Sequence, residues 1–209
     1  MFKKAFTLAE ILIVMAIIGT VAVATIPNLM DSYQEDRDIA RLRKVYHDIE
    51  VAYAKSLAEY GPYENWDVDK ETKTKMLMKY LKARYCGNDK VNNCYPSTVS
   101  GNATTYYKYE LEDGTGISMY GSASSSFYIY VALGGVKGKT IAGRDIFRIN
   151  YSTTNGIYPY GRGLDRESNS AFKTSATSYN ATNWAITNGN MDYLKCKDKL
   201  NWTNQTSCP

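Results

Sequence analysis

Lys3-Lys4-Ala5-Phe6-Thr7-Leu8-Ala9-Glu10-Ile11-Leu12-Ile13-Val14-Met15-Ala16-Ile17-Ile18-Gly19 opens the chain with two cations, one acid and then an apolar run. Over 11–29 the only interruptions are Gly19, Thr20, Thr25, Pro27 and Asn28, none of them charged. The run reaches the roughly 20 residues that cross a bilayer as a helix. A secretory signal peptide starts in the same way, but its apolar region is shorter, about 7–15 residues, and ends at a small-x-small cleavage site. Ala22 and Ala24 could imitate such a site. Glu10 argues for the membrane helix, because a carboxylate at the head of a span is costly unless it stays at the interface or finds a cation. Lys3 and Lys4 precede the span and no comparable charge lies inside it. The positive-inside rule then keeps the N-terminus cytoplasmic and sends the bulk of the chain outward.

The order of these features, Lys3-Lys4, then Phe6-Thr7-Leu8-Ala9-Glu10, then the apolar helix, resembles the N-terminus of type IV pilins and of the related pseudopilins of type II secretion systems. The resemblance covers residues 1–30. It implies that a prepilin peptidase removes residues 1–5 as a leader, cutting between Ala5 and Phe6, and methylates the new amine of Phe6. Family members usually carry glycine before the cut; this chain has Ala5, small enough for a tight protease subsite. Pro27 falls where pilins often carry a helix-bending proline. On this reading 6–30 is a transmembrane segment that becomes the filament core, and 31–209 is an exported head. The implied function is structural: a subunit of a type IV pilus or related surface filament, self-associating in a helical array. It would be raised from the inner membrane by an assembly platform and its ATPase. A type II secretion pseudopilin is the alternative, and a single-span exported binding module a second one. In an assembled filament the Glu10 carboxylate would meet a Phe6 amine, its own or a neighbour's, since pairing two buried charges offsets much of their desolvation.

Composition bounds the rest. Formal net charge is +4, and removing Lys3 and Lys4 with the leader leaves 23 basic side chains against 21 acidic ones. So near a balance carries no specific nucleic-acid signal. Four cysteines, Cys86, Cys94, Cys196 and Cys208, suit a compartment where disulfides persist. Local pairing, Cys86 with Cys94 and Cys196 with Cys208, is favoured, although four cysteines allow three connectivities. Zinc is disfavoured because neither pair has C-x-x-C spacing and the one histidine, His47, lies on another segment. With that histidine on a charged helix face and no glycine-rich phosphate loop, no nucleophile and base assemble. No catalytic residue, cofactor or metal is expected.

The head reads as α+β: a long N-terminal helix, transmembrane and then amphipathic, packed on a small antiparallel sheet. Ile39, Leu42, Val45, Tyr46, Ile49, Tyr53, Leu57 and Tyr60 recur at helical spacing over 31–60, and Gly61-Pro62 ends the pattern. Pro27 should kink or loosen the helix upstream. A helix over 71–84 and loop fill 61–104, with Asp69 and Glu71 as helix-start acids. An antiparallel sheet over 105–151 is expected from strands at 106–111, 117–120, 127–133 and 146–151. The stretch 134–147, ending Gly143-Arg144-Asp145-Ile146-Phe147, is similar to the sheet region of major pseudopilins. No acid lies between Val131 and Arg144, so the calcium ligands of some pseudopilin loops do not carry over. In the disulfide-bonded region 152–209, Tyr158-Pro159-Tyr160-Gly161 reads as a turn and 184–186 as a short strand or helix.

Overall fold

The computed structural model describes residues 7–66, 69–88, 94–96, 105–121, 126–138, 140–162 and 178–209. The chain forms two compact units, Met1–Arg37 and Asp38–Pro209. Helix α1, Leu8–Tyr60, supplies the described part of the first unit and the opening of the second. Within the first unit α1 continues through Pro27 as one helix. Thr20 and Thr25 turn their hydroxyls back onto the carbonyls of Ile17 (2.9 Å) and Val21 (3.0 Å), which satisfies polar atoms in an otherwise apolar stretch.

In the second unit α1 buries Ile39, Leu42, Val45, Ile49, Ala52 and Ser56. The 3.6-residue period explains a departure from the sequence reading. Leu57 is 39% exposed, while Ser56 takes the core position one step earlier. The Ser56 hydroxyl lies 3.0 Å from both the Ala52 and Met76 carbonyl oxygens, so its burial is compensated. Tyr46, Tyr53 and Tyr60 pack half-buried along the edges of the same face. Gly61 closes the helix at φ 74°, its amide donating to the Leu57 carbonyl at 2.9 Å.

Helix α2, Lys70–Met78, starts at Asp69, whose carboxylate accepts from the Thr72 amide at 3.0 Å. A 3-10 turn, Lys79–Leu81, continues it, and Lys82 at φ 50° ends it. The helix expected over 71–84 is therefore shorter, and Arg84–Gly87 is strand β1. Its pairing with the next strand outweighs a weak helical pattern of tyrosine and lysine.

Five further strands follow: β2 Tyr107–Glu110, β3 Gly116–Gly121, β4 Ser126–Ala132, β5 Ile146–Ser152 and β6 Gly156–Pro159. The six pair in chain order, every neighbour antiparallel. The result is an α+β layout consistent with a pilin-like fold. β6 runs up to Pro159, and the turn expected at 158–161 begins at its last residue, the Arg162 amide donating to the Pro159 carbonyl at 3.2 Å. Proline is tolerated on an edge strand, where no further strand needs its missing amide, and Pro159 pairs across from Ile149 at that edge.

Alternation gives the sheet two faces. Ile117, Met119, Phe127, Ile129, Val131, Phe147 and Ile149 join the α1 residues in the main core. On the other face Tyr130 lies across from Arg148, and Tyr128 across from Asn150. A second, smaller cluster forms there around Tyr95, Tyr130, Ala132 and Ile146. Helix α3, Ala181–Asn188, covers the 184–186 segment, with Trp184 fully buried and its Nε1 donating to Asn190 Oδ1 at 2.9 Å. The short α4, Tyr193–Cys196, ends at a disulfide to Cys208 with Cα atoms 5.9 Å apart. Cys86 is bonded to Cys94, Cα atoms 6.2 Å apart, tying edge strand β1 to the segment that buries Tyr95.

Candidate functional site

The first candidate is the start of α1. Thr7 caps the helix: its amide and its hydroxyl both donate to Glu10 Oε2 at 2.8 Å, and the Glu10 amide donates back to Thr7 Oγ1 at 3.2 Å. This is a reciprocal capping box of the Thr-x-x-Glu type, which satisfies helix-end amides. The Thr-x-x-Glu spacing is present in the sequence, where the charge of Glu10 is its conspicuous half. Lys3, Lys4, Ala5 and Phe6 lie outside the described residues, so Glu10 is seen here with Thr7 alone among its expected neighbours.

Beyond the cap the apolar side chains face outward. Leu8, Val23 and Leu29 are 80%, 77% and 71% exposed, and Ile11, Leu12, Ile13, Met15, Ile17 and Ile18 are exposed as well. The helix is long and apolar enough to cross a membrane. Helices in the core of soluble proteins bury such a face; none of the membrane-length window is buried here. Pro27 sits within this segment of α1.

On the head, Arg41 from α1 holds the turn between β2 and β3. Its Nε donates to Asp113 Oδ2 at 2.9 Å, and a second guanidinium nitrogen donates to the Asp113 carbonyl. Burial alone would raise the Asp113 carboxyl, but Arg41 and the Thr115 amide outweigh it and hold the group at about 2. The described residues contain no cluster of three or more His, Cys, Asp or Glu that could hold a metal ion. His47 is exposed on α1, and Asp69 serves as the α2 cap.

A third arrangement was not legible in the sequence. On the sheet face away from α1, the Arg148 guanidinium lies over the Tyr128 ring at 4.1 Å and over the Tyr160 ring at 4.2 Å. Its Nε donates to Asn150 Oδ1 at 2.9 Å. The backbone fixes the strand beneath it: the Arg148 amide donates to Thr182 Oγ1 at 3.1 Å and the Tyr160 amide to the Arg148 carbonyl at 3.0 Å. Burial pushes the neighbouring Tyr130 hydroxyl up to about 12, with Arg148 pulling the other way, so that ring stays neutral. The alternation Tyr128-x-Tyr130 and Arg148-x-Asn150 was the available signal, but only the register of three strands brings these side chains together.

Comparison of the chain with protein-family models, with curated proteins and with solved structures returns no match.

Proposed function

We propose that this chain is a structural subunit of a type IV pilus or a related surface filament. On this reading a prepilin peptidase cuts it between Ala5 and Phe6, Phe6 is N-methylated, and the chain assembles through its N-terminal helix. The observation that carries the reading is the combination at one end of the chain. A basic leader with Phe6 and Glu10 leads directly into a helix whose apolar side chains are exposed, and the same helix continues into an α+β head. A helix of this kind inserts in the bilayer before assembly and can exchange lipid for neighbouring helices afterwards. The subunit would accordingly pass from the inner membrane, head outward, to an extracellular or periplasmic filament, driven by the assembly platform and its ATPase.

Glu10 then has two successive partners. In the uncut chain Thr7 holds it. Cleavage creates an amine at Phe6, and a buried amine without a partner costs about 3–5 kcal/mol. Mass spectrometry of membrane and filament fractions should find mature protein starting at N-methylated Phe6. Glu10→Ala should be cut normally and yield no filaments by microscopy. Thr7→Val, which removes the cap and leaves the carboxylate, should still assemble. An intact N-terminus, cleavage near Ala24, or abundant Glu10→Ala filaments would overturn the reading.

The type II secretion pseudopilin is the second reading, and Gly143-Arg144-Asp145-Ile146-Phe147 favours it. There the Gly143 amide donates to the Ile146 carbonyl at 2.8 Å, and Asp145 Oδ2 accepts from the Ile141 amide at 3.1 Å, giving a tight loop entering β5. Long surface filaments in cells lacking any secretion system would exclude it.

A further inference from the structure

From the outer face of the sheet we infer that the head carries a binding surface for a carboxylated polysaccharide, anchored by Arg148 between Tyr128 and Tyr160. The Tyr128 and Tyr160 rings lie 4.1 and 4.2 Å from the guanidinium carbon, and Asn150 occupies its Nε. Its remaining Nη edge makes no hydrogen bond to a described residue. A guanidinium held by its Nε and by flanking rings, its Nη edge bonded to none of the described residues, matches the two oxygens of a carboxylate, and its orientation is already fixed before a ligand arrives. Among the described residues no acid is bonded to it.

The surroundings indicate a polymer. Tyr106, Tyr120 and Tyr128 follow one another at ring separations of 5.2 and 6.0 Å, and Arg148 and Tyr160 extend the row. Crossing from β3 to the β6 edge takes three strand spacings, roughly 15 Å, so the row is a strip and not a one-ring pocket. Tyr106, Tyr120, Tyr128 and Tyr160 are only partly buried. Such rings offer apolar faces to sugar C–H groups and hydroxyls to sugar oxygens, with little side-chain entropy to lose. A nucleic acid would stack on the same rings, but its affinity comes from many phosphates meeting many cations. Here the cations on the row are the anchored Arg148 and Lys70, which lies 5.8 Å from the Tyr120 ring centroid, in a chain of net charge +4; two spaced cations fit spaced sugar carboxylates better than a continuous phosphate backbone. The inference does not depend on the filament reading.

The test uses the full chain in detergent micelles and three kinds of immobilised probe: oligogalacturonate and oligosialate as carboxylated sugars, dextran as a neutral one, and oligothymidylate. Saturable binding is expected to at least one carboxylated sugar, with none to dextran and weaker binding to oligothymidylate. Arg148→Gln and Arg148→Lys should each weaken it by roughly tenfold or more, the size of a lost charge-assisted hydrogen bond. Lys199→Ala, an exposed charge elsewhere, should leave it unchanged. Near-ultraviolet circular dichroism identifies any variant that fails to fold, and the wild-type probe comparison stands without the variants. The inference is overturned by wild-type protein that binds neither carboxylated sugar, by equal binding to dextran, by a preference for oligothymidylate, or by folded Arg148 variants that bind undiminished.

Discussion

Asp113 shows how a single side chain can tie two elements together and leave a signature in pH. Its carboxylate takes the Arg41 Nε at 2.9 Å and the Thr115 amide at 2.9 Å, so it fixes the β2–β3 turn and docks that turn on α1. Burial raises its pKa, but the ion pair and hydrogen bonds prevail and bring it to about 2. A folded-state pKa below the unfolded value of about 3.9 means that the stabilisation is complete above that value and disappears as pH falls through about 2. The Asp113 side chain is 38% exposed, so solvent screening keeps the ion pair itself below about 1 kcal/mol. Asp113→Asn should therefore lower the unfolding midpoint slightly at pH 7. The gap to wild type should close between pH values of about 4 and 2, measured by thermal unfolding across that range. A gap that persists at the acid end would mean that Asn fails for steric reasons and not through lost charge.

At the scale of elements, two glycines separate backbone strain from lack of space. Gly61 has φ 74° and open space where a Cβ would sit; Gly135 has φ 57°, and an added Cβ would lie 2.3 Å from the Gly114 carbonyl oxygen. Gly61→Ala should cost about 1 kcal/mol from the left-handed conformation alone. Gly135→Ala should cost more, beyond about 2 kcal/mol, because the β2–β3 turn must also move away. Chemical denaturation of the two variants measures the difference, and equal losses would remove space as the cause. The same scale marks what sequence could convey. The long helix and the four inner strands were legible because periodicities of 3.6 and 2 write burial directly into residue order. Edge strands escape that logic. β1 carries Arg84 and Cys86, with no full apolar alternation, and β6 is only four residues long and ends at Pro159, whose turn masks the short strand before it. The Ser56 and Leu57 exchange was hidden for a related reason: hydrophobicity favoured Leu57, whereas the carbonyl of Met76, 20 residues away in the chain, supplies what Ser56 needs. Of the candidate sites, Glu10 stood out as a lone charge beside an apolar run. Arg148 did not, because its partners come from other strands and its charge looks ordinary in sequence.

For the whole molecule, burial begins late along the chain. Ile39 is the first buried residue among those described, and every core residue of the head lies at or after it. The apolar segment before it therefore contributes exposed surface to the isolated chain, and on the proposed filament reading lipid or other subunits would cover it. The head has its own core, in which α1 from Ile39 onward, α2, the sheet and α3 all take part, and two disulfides of sequence separation 8 and 12. Loops of that size stabilise by roughly 2–3 kcal/mol each in the chain-entropy model, which adds usefully to the modest stability of a domain this small. A chain starting at Asp31 should then fold alone, dissolve without detergent and unfold cooperatively within a few degrees of the full protein in micelles. Near-ultraviolet circular dichroism should match that of the full chain, since Trp66, Trp184 and Trp202 all lie in the head. Reduction of this shortened chain should lower its midpoint while the full chain still partitions into detergent, because the apolar helix requires no disulfide. If the shortened chain is instead aggregated or molten under oxidising conditions, the head depends on the first half of α1 for its folding, and the division of labour between a lipid-facing helix and a self-sufficient head is wrong.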